Sequence, residues 1–335
     1  MSVMTNERAV SDKDMIADAE AALADLSRVR AGVGKVIFGQ ESVVERTMVA
    51  ILAGGHALLV GVPGLAKTKL VETLGTVLGL DSRRIQFTPD LMPSDILGSE
   101  VMEQDEAGKR FCRFIPGPIF AQLLMADEIN RASPRTQSAL LQSMQEYHVT
   151  IAGARHDLPA PFHVLATQNP LEQEGTYPLP EAQLDRFLMQ VDILYPEIEA
   201  ERRILLETTG VQDGRAENVL TAERLRAIQT LIRRMPVSES VVEAILNLVR
   251  SARPGNGNTD TDKHVSWGPG PRASQALTLC ARARALYDGR LAPSVDDVHA
   301  LAEPVLQHRM ALTFAARAEG MNVRDVIARL VKAAG

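Results

Sequence analysis

His56-Ala-Leu-Leu-Val-Gly-Val-Pro-Gly-Leu-Ala-Lys-Thr68 decides the fold. It is an apolar strand running into a glycine-bearing turn that ends on Lys67-Thr68, the layout of a loop that cradles polyphosphate. Gly61 and Gly64 let the backbone curl so that its N–H groups converge on an anion. In that layout Gly61, Val62, Pro63, Gly64, Leu65, Ala66, Lys67, Thr68 and Lys69 surround the phosphates of a nucleotide such as ATP. Lys67 puts a point charge on the β- and γ-phosphates, and the Thr68 hydroxyl ligates Mg²⁺. One position departs from Gly-x-x-x-x-Gly-Lys-Ser/Thr, because Ala66 stands where the second glycine belongs. An alanine there adds one methyl group and keeps the amide. The expectation is therefore a negative φ at Ala66, as at the start of a helix.

A phosphate loop needs a second acidic element. Leu123-Leu-Met-Ala-Asp-Glu128 supplies an apolar strand ending in two carboxylates, with Asp127 following Lys67 by 60 residues (127 − 67). Asp127 contacts Mg²⁺ directly or through water, and Glu128 polarises the attacking water. Phe162-His-Val-Leu-Ala-Thr-Gln-Asn-Pro170 is a further strand, ending in Asn169. That amide either sits between the γ-phosphate and the water or caps the strand before Pro170. Arg186 follows a short helix in Leu179-Pro-Glu-Ala-Gln-Leu-Asp-Arg-Phe187. Facing outward, it reaches a neighbouring subunit's γ-phosphate, where a guanidinium stabilises developing charge; a surface ion pair is the alternative. In Trp267-Gly-Pro-Gly-Pro-Arg-Ala273 a rigid loop puts Arg272 in the first turn of a helix. A cation opposes the helix dipole there, which suggests that Arg272 is held to meet a phosphate.

Working outward, Ala57–Val60, Arg84–Phe87, Gln122–Met125 and His163–Ala166 are short apolar strands. They alternate with helices at Lys67–Leu78 and Thr136–Glu146, preceded by one at Ser42–Ala53. This pattern predicts a parallel sheet covered on both faces. Ser99–Pro116 and His148–Leu158 interrupt it as two β-hairpins. After Pro196 only helices are predicted: Ile198–Thr209, Ala222–Arg234, Ser238–Ala252, Arg272–Asp288, Val295–His308 and Val323–Ala334. Asn256–Lys263 is polar and predicted as a mobile loop. Ser11-Asp-Lys-Asp14 is predicted to cap a leading helix with Met15, Ile16, Ala19, Leu23, Leu26 and Val29 at helical spacing. The domains expected are an N-terminal helix at 1–31, an α/β nucleotide-binding domain at 32–196 with hairpin inserts at 99–116 and 148–158, and a helical domain at 197–335.

Composition narrows the classes. The 335 residues exceed a usual single core, and 45% hydrophobic content is ample for packing. A net charge of −6 argues against a dedicated nucleic-acid binder. Two cysteines, Cys112 and Cys280, suit a reducing compartment, and no apolar run reaches the roughly 20 residues that span a bilayer. A cytoplasmic protein without membrane insertion is expected. The seven His residues show no metal-ligand spacing with Cys or Glu.

Taken together and in order, Gly61–Thr68, Ala126-Asp-Glu-Ile-Asn-Arg-Ala132, Ala166-Thr-Gln-Asn-Pro170, Leu179–Phe187 and Gly270-Pro-Arg-Ala273 resemble the MoxR family of AAA+ ATPases. The resemblance runs from about Gly32 to the C-terminus. In that family the loop reads Gly-x-Pro-Gly-x-Ala-Lys-Thr, so Ala66 fits it. The resemblance implies an AAA+ α/β fold, a parallel sheet with helices on both faces followed by a smaller all-α lid. It implies Asp127 and Glu128 as Walker B, Asn169 as sensor 1, Arg186 as an arginine finger acting in trans, and Arg272 as sensor 2. Ser99–Pro116 resembles the helix-2 insert and His148–Leu158 the pre-sensor-1 hairpin. Val36–Gln40, with Phe38 and Gly39, is implied to line the adenine pocket, and Arg131 to be a further interface arginine. The family implies ATP and Mg²⁺ as cofactors, a homohexameric ring, and chaperone-like remodelling of partners that carry von Willebrand factor A domains.

Two other functions compete. A ring motor on nucleic acid needs basic, aromatic pore loops. The hairpins offer Lys109, Arg110, Arg113 and Arg155, offset by Glu103, Asp105, Glu106 and Asp157, with Phe111 and Phe114 as the nearby rings. A non-hydrolysing nucleotide switch is opposed by the full set Asp127, Glu128, Asn169, Arg186 and Arg272.

Overall fold

The structure, a computed structural model, describes residues 12–106, 108–172, 174–208 and 214–334. The chain runs α1 (Asp12–Gly34), α2 (Glu41–Leu52), β1 (Ala57–Val60), α3 (Lys67–Leu78), β2 (Ser82–Gln86), α4 (Pro93–Leu97), β3 (Gly98–Gln104) and β4 (Arg110–Pro116). Next come β5 (Leu123–Asp127), α5 (Pro134–Glu146), β6 (His148–Ile151), β7 (Ala154–Asp157), β8 (His163–Gln168), α6 (Glu181–Leu184) and β9 (Met189–Asp192). The remainder is α7 (Ile198–Thr208), α8 (Ala222–Arg234), α9 (Glu239–Ser251), α10 (Thr259–His264), β10 (Val265–Trp267), α11 (Pro271–Tyr287), α12 (Val295–Leu306), β11 (Ala311–Leu312), α13 (Phe314–Ala318) and α14 (Val323–Ala334).

The central sheet has the order β2-β5-β8-β1-β9, and every pairing in it is parallel. Its strands alternate between two cores, as a period of two requires. Ala57, Leu59, Leu123, Met125 and Leu165 face one apolar cluster. Leu58, Leu124, Ala126, Val164 and Ala166 face the other. The first cluster continues without a break into α1, α8, α9, α11, α12 and α14, reaching Leu330. The second holds Phe87, Ile96, Leu140 and Met144 from α4, α5 and their flanks. The α/β sheet with helices on both faces and the helical C-terminal region are as predicted.

Three details differ from the sequence expectation. A fifth strand, β9, pairs with β1 at the sheet edge; its alternating Met189-Gln-Val-Asp192 is too short to stand out beside the Leu179–Phe187 motif. The helical region contains a small antiparallel pair, β10–β11. The polar stretch predicted as a mobile loop holds α10, because Asn258 Oδ1 accepts from the amides of Asp260 and Thr261 at 3.2 and 3.3 Å. Thr261, fully buried, anchors that helix through its hydroxyl to the Ser251 carbonyl at 2.8 Å. Finally, the Ser11 cap lies outside the described residues. Both predicted hairpins are present as β3–β4 and β6–β7. They touch where Phe114 stacks on His156, with ring centroids 3.9 Å apart.

Two buried histidines close the amino ends of β1 and β8. His56 Nδ1 accepts from the Val164 amide at 2.9 Å and its Nε2 faces the Met144 carbonyl at 3.1 Å, while His163 Nδ1 faces the Gly55 carbonyl at 2.9 Å. Burial holds His56 at about 3 and His163 at about 4, and lowers His308 well below the ordinary range. These groups are neutral in the fold and titrate near 6.5 when unfolded, so the unfolded chain binds more protons below pH 6.5. The stability they contribute is complete above about 6.5 and is lost as pH falls toward 4. At pH 5.5 His56 and His163 each cost about 1.4 kcal/mol, roughly 3 kcal/mol together, and His308 acts in the same direction. A melting temperature about 5 °C lower at pH 5.5 than at pH 7.5 is expected by calorimetry. A flat profile would refute the neutral assignment.

Candidate nucleotide site

The phosphate loop lies at the carboxyl end of β1, where parallel sheets place their ligands. Its glycines answer two different needs. A side chain on Gly61 would meet the Ile193 carbonyl oxygen at 2.8 Å, whereas Gly64 has open space and a φ of +86°. Lys67 begins α3, so the amides of the first helical turn have no intrahelical acceptor and point at an anion. The Lys67 ammonium donates to the Gly61 carbonyl and, at 3.1 Å, to that of Val62. Burial lowers its pKa, against the charges of Asp127, Glu128 and Glu172. The Thr68 hydroxyl makes no hydrogen bond among the described residues.

Ala66 corrects the sequence expectation. Its φ is +54° and ψ 24°, in the left-handed region. It is the residue before the helix, not the first residue in it, and so escapes helical dihedrals. A left-handed L-residue costs about 1 kcal/mol. Ala66→Gly should therefore raise the unfolding free energy by up to about 1 kcal/mol without weakening nucleotide binding. Ala66→Val, with its branched Cβ, should lower it. Urea titration of the two variants checks the pair.

Asp127 ends β5 and Glu128 follows it, with β8 lying between β5 and the strand that leads into the loop. Asp127 is 7% exposed. Its Oδ2 accepts from Arg84 Nε at 3.1 Å and Nη2 at 2.6 Å, and its Oδ1 from the Thr167 hydroxyl at 2.6 Å. Thr167 also accepts from the Glu128 amide at 2.9 Å, so one fully buried hydroxyl aligns both acids. Glu128 has a φ of +55°, a strained backbone of the kind found at functional sites. Gln86 Nε2 and Arg131 Nη1 both donate to Glu128 Oε2, at 2.8 and 2.9 Å. Arg131, implied to face an interface, thus pairs within its own chain. Asn169 is buried, and its Oδ1 accepts from the Leu171 amide at 3.1 Å, the capping role weighed for it above. Arg84, Gln86 and Thr167 were not singled out in the sequence. Thr167 is a polar residue in the buried run of β8, whereas Arg84 and Gln86 lie on exposed positions of β2, where four of five residues are polar, and carry no such signal.

Beside the loop, a cavity of about 450 Å³ is lined by Val36, Phe38, Gln40, Ala66, Lys69 and Ile204, among others. Gln40 Nε2 donates to the Leu65 carbonyl at 3.1 Å, and its buried Oε1 has no partner among the described residues. Arg203 stacks on the Phe38 ring at 4.6 Å. Gly39 does not line this cavity. It turns the chain with a φ of +67°, and a side chain there would strike Ala200 Cβ.

Arg186 and Arg272 lie elsewhere. They share a cavity of about 280 Å³ with Gly55, His56, Arg233 and Arg309. His56 precedes β1, and the Leu188 amide donates to its carbonyl at 2.8 Å, which puts this cavity at the amino ends of the strands. The four residues of β1 separate His56 from Gly61, five residue steps or about 16 Å. Arg272 Nη1 lies 3.4 Å from Asp185 Oδ2. Burial and then the Arg272 charge lower the pKa of Arg186, whose side chain makes no hydrogen bond among the described residues. Converging cations with one carboxylate already shared suit an incoming anion. The structure therefore brings Lys67, Thr68, Asp127 and Glu128 together on one end of the sheet, and Arg186 with Arg272 on the other.

Comparison with known proteins agrees with this layout. A family model described as "ATPase family associated with various cellular activities (AAA)" matches residues 56–189, and an AAA lid domain model matches residues 257–330. Chaperone MoxR1 of Mycobacterium tuberculosis is 42% identical over 92% of this chain and 81% of its own length. Protein MoxR of Methylorubrum extorquens is 30% identical over 85% of this chain and 87% of its own. A crystal structure described as a candidate ATPase from Cytophaga hutchinsonii superposes with a TM-score of 0.88 at 37% identity, covering 96% of this chain and 97% of that one. With the phosphate loop, paired acids and helical lid in place, the chain belongs to the MoxR family of AAA+ ATPases.

Proposed function

We propose that this ATPase works as a ring of six copies in the cytoplasm, splitting ATP at sites shared between adjacent subunits and using turnover to remodel a protein partner. The observation that carries this reading is the separation of Arg186 and Arg272 from their own phosphate loop by the depth of the sheet. A cation pair that cannot serve its own nucleotide is suited to a neighbour's. In each shared site Lys67 and the loop amides bind the phosphates, Glu128 orients water, and Asn169 lies beside it. The arginines of the next subunit meet the γ-phosphate. Gln40 Oε1, a buried unpaired acceptor, suits the exocyclic amine of adenine, with Phe38 as a wall of the base pocket.

Mg²⁺ fits the donor set: Thr68 and Asp127 offer hard oxygens, and Asp127 already holds a guanidinium cation. When bound with the nucleotide, the ion neutralises charge developing on the β- and γ-oxygens. The proposed domains are an N-terminal segment at 1–31, whose boundary falls within α1, the nucleotide-binding unit at 32–196 and the lid at 197–335. Among the described residues no helix is long and apolar enough to cross a membrane.

A protein client, one with a von Willebrand factor A domain, is favoured over nucleic acid by the hairpins. Met102, Phe111 and Ile115 stand exposed on β3–β4. Two of the four hairpin bases are engaged, Arg113 with Glu103 at 3.2 Å and Arg155 with Asp157 at 2.8 Å, and Phe114 is covered by His156. Mixing two inactive variants tests the shared site. Arg186→Ala keeps its own loop and Glu128, and Glu128→Gln keeps its arginines. Mixed rings should regain turnover that neither variant has alone, and specific activity should rise with protein concentration. Mixtures as silent as their parts would refute sharing.

A further inference from the structure

The lid grips the segment that carries Arg186 through one buried guanidinium. Arg309, 2% exposed, ends a 3-10 turn, Gln307–Arg309, that follows α12. Its Nε donates to Asp185 Oδ1 at 2.7 Å. Its Nη2 donates to the carbonyls of Phe187 at 2.7 Å and Asp185 at 3.3 Å. Its Nη1 donates to those of Leu188 at 3.2 Å and Val305 at 2.5 Å. These five bonds use all five guanidinium N–H groups. His308 Nε2 faces the same Phe187 carbonyl at 3.0 Å, and Gln307 Nε2 donates to the Gln190 carbonyl at 3.1 Å.

The two carbonyls held by Nη2 belong to the residues before and after Arg186, so Arg309 fixes the peptide entering Arg186 and the one leaving Phe187. The Asp185 carboxylate is divided as well, Oδ1 to Arg309 and Oδ2 to Arg272. A buried charge is not needed to stabilise a core, since apolar side chains of similar volume do so without desolvation cost. What a guanidinium adds is geometry: five fixed directions in one plane.

We propose that Arg309 is a positioning residue for trans hydrolysis, setting the pose of Arg186 directly and of Arg272 through Asp185. A subunit's lid thereby governs how that subunit serves its neighbour's nucleotide, while its own phosphate loop needs nothing from Arg309. This rests on the shared-site reading above.

The test uses Arg309→Met and Arg309→Lys in the full-length chain, with a fluorescent ATP analogue reporting each subunit's own binding. Arg309→Met should lose at least about tenfold in kcat with analogue affinity within about twofold of the parent. Arg309→Lys, which keeps the Asp185 ion pair but not the carbonyl bonds, should fall between. Mixing Arg309→Met with Glu128→Gln should restore turnover to the level of the Arg186→Ala and Glu128→Gln mixture, because the defect lies in donation alone. Should Arg309→Met be insoluble, Arg309→Lys carries the same mixing test. Full turnover by Arg309→Met overturns the proposal. So does failure of its mixture where the Arg186→Ala mixture recovers, which would make Arg309 a plain structural residue. If the Arg186→Ala mixture also stays silent, the shared-site premise fails, and the proposal with it.

Discussion

Glu128→Gln should hold ATP and stop turning it over. Both donors that reach Glu128, from Gln86 and Arg131, meet Oε2. Oε1 is left to accept a proton from water. An amide in its place keeps the volume and the polar contacts but is not a base, so kcat should fall by about 10² to 10⁴. Analogue binding should change little, since the loop amides and Lys67 are untouched. Single-turnover phosphate release is the deciding measurement. A variant that releases phosphate at the parental rate would remove Glu128 from the reaction and revive the nucleotide-switch reading.

Arg186→Ala should be at least as severe. Its guanidinium has no hydrogen-bonded carboxylate to lose, so the fold is not strained by its removal. A guanidinium on the transferring phosphoryl group is worth about 10³ to 10⁵ in rate. Steady-state hydrolysis should therefore drop by about 10³ while thermal stability holds or rises slightly, because burial and the Arg272 charge already disfavour the cation. Arg186→Lys should recover only a part, lacking the fork that meets two oxygens. Hydrolysis that survives Arg186→Ala would leave the cation pair without a purpose in the shared site.

The sheet and most helices were legible in the sequence because their signals are local. β1 keeps its predicted bounds, as do α3, α8 and α14. The edge strand β9 was not legible, since four residues with two polar side chains carry little periodicity. Ala66 shows the same limit at one residue. Ala66 was expected with helical dihedrals, but α3 begins at Lys67, and a boundary one residue away puts Ala66 outside the helix. In the site, the residues that touch phosphate or water by expectation form motifs of contiguous letters. Those that orient them do not: Arg84, Gln86 and Thr167 reach Asp127 and Glu128 from neighbouring strands, a relation created only by sheet order. The grouping of Arg272 with Arg186 was invisible for the same reason, 86 positions apart (272 − 186) and joined through Asp185.

The unbroken apolar cluster from β1 to α14 has a practical meaning for anyone cutting the gene. Lids are often drawn as hinged flaps that detach from a finished platform. Here Ala57, Leu59, Met125 and Leu165 have one face of the platform in common with Leu248, Leu277, Val305 and Leu330. A fragment stopping near Pro196 would present that face to water as a greasy, unfinished half and would aggregate instead of binding nucleotide. The phosphate loop and the helices after it are one folding unit, however cleanly the alphabet divides them.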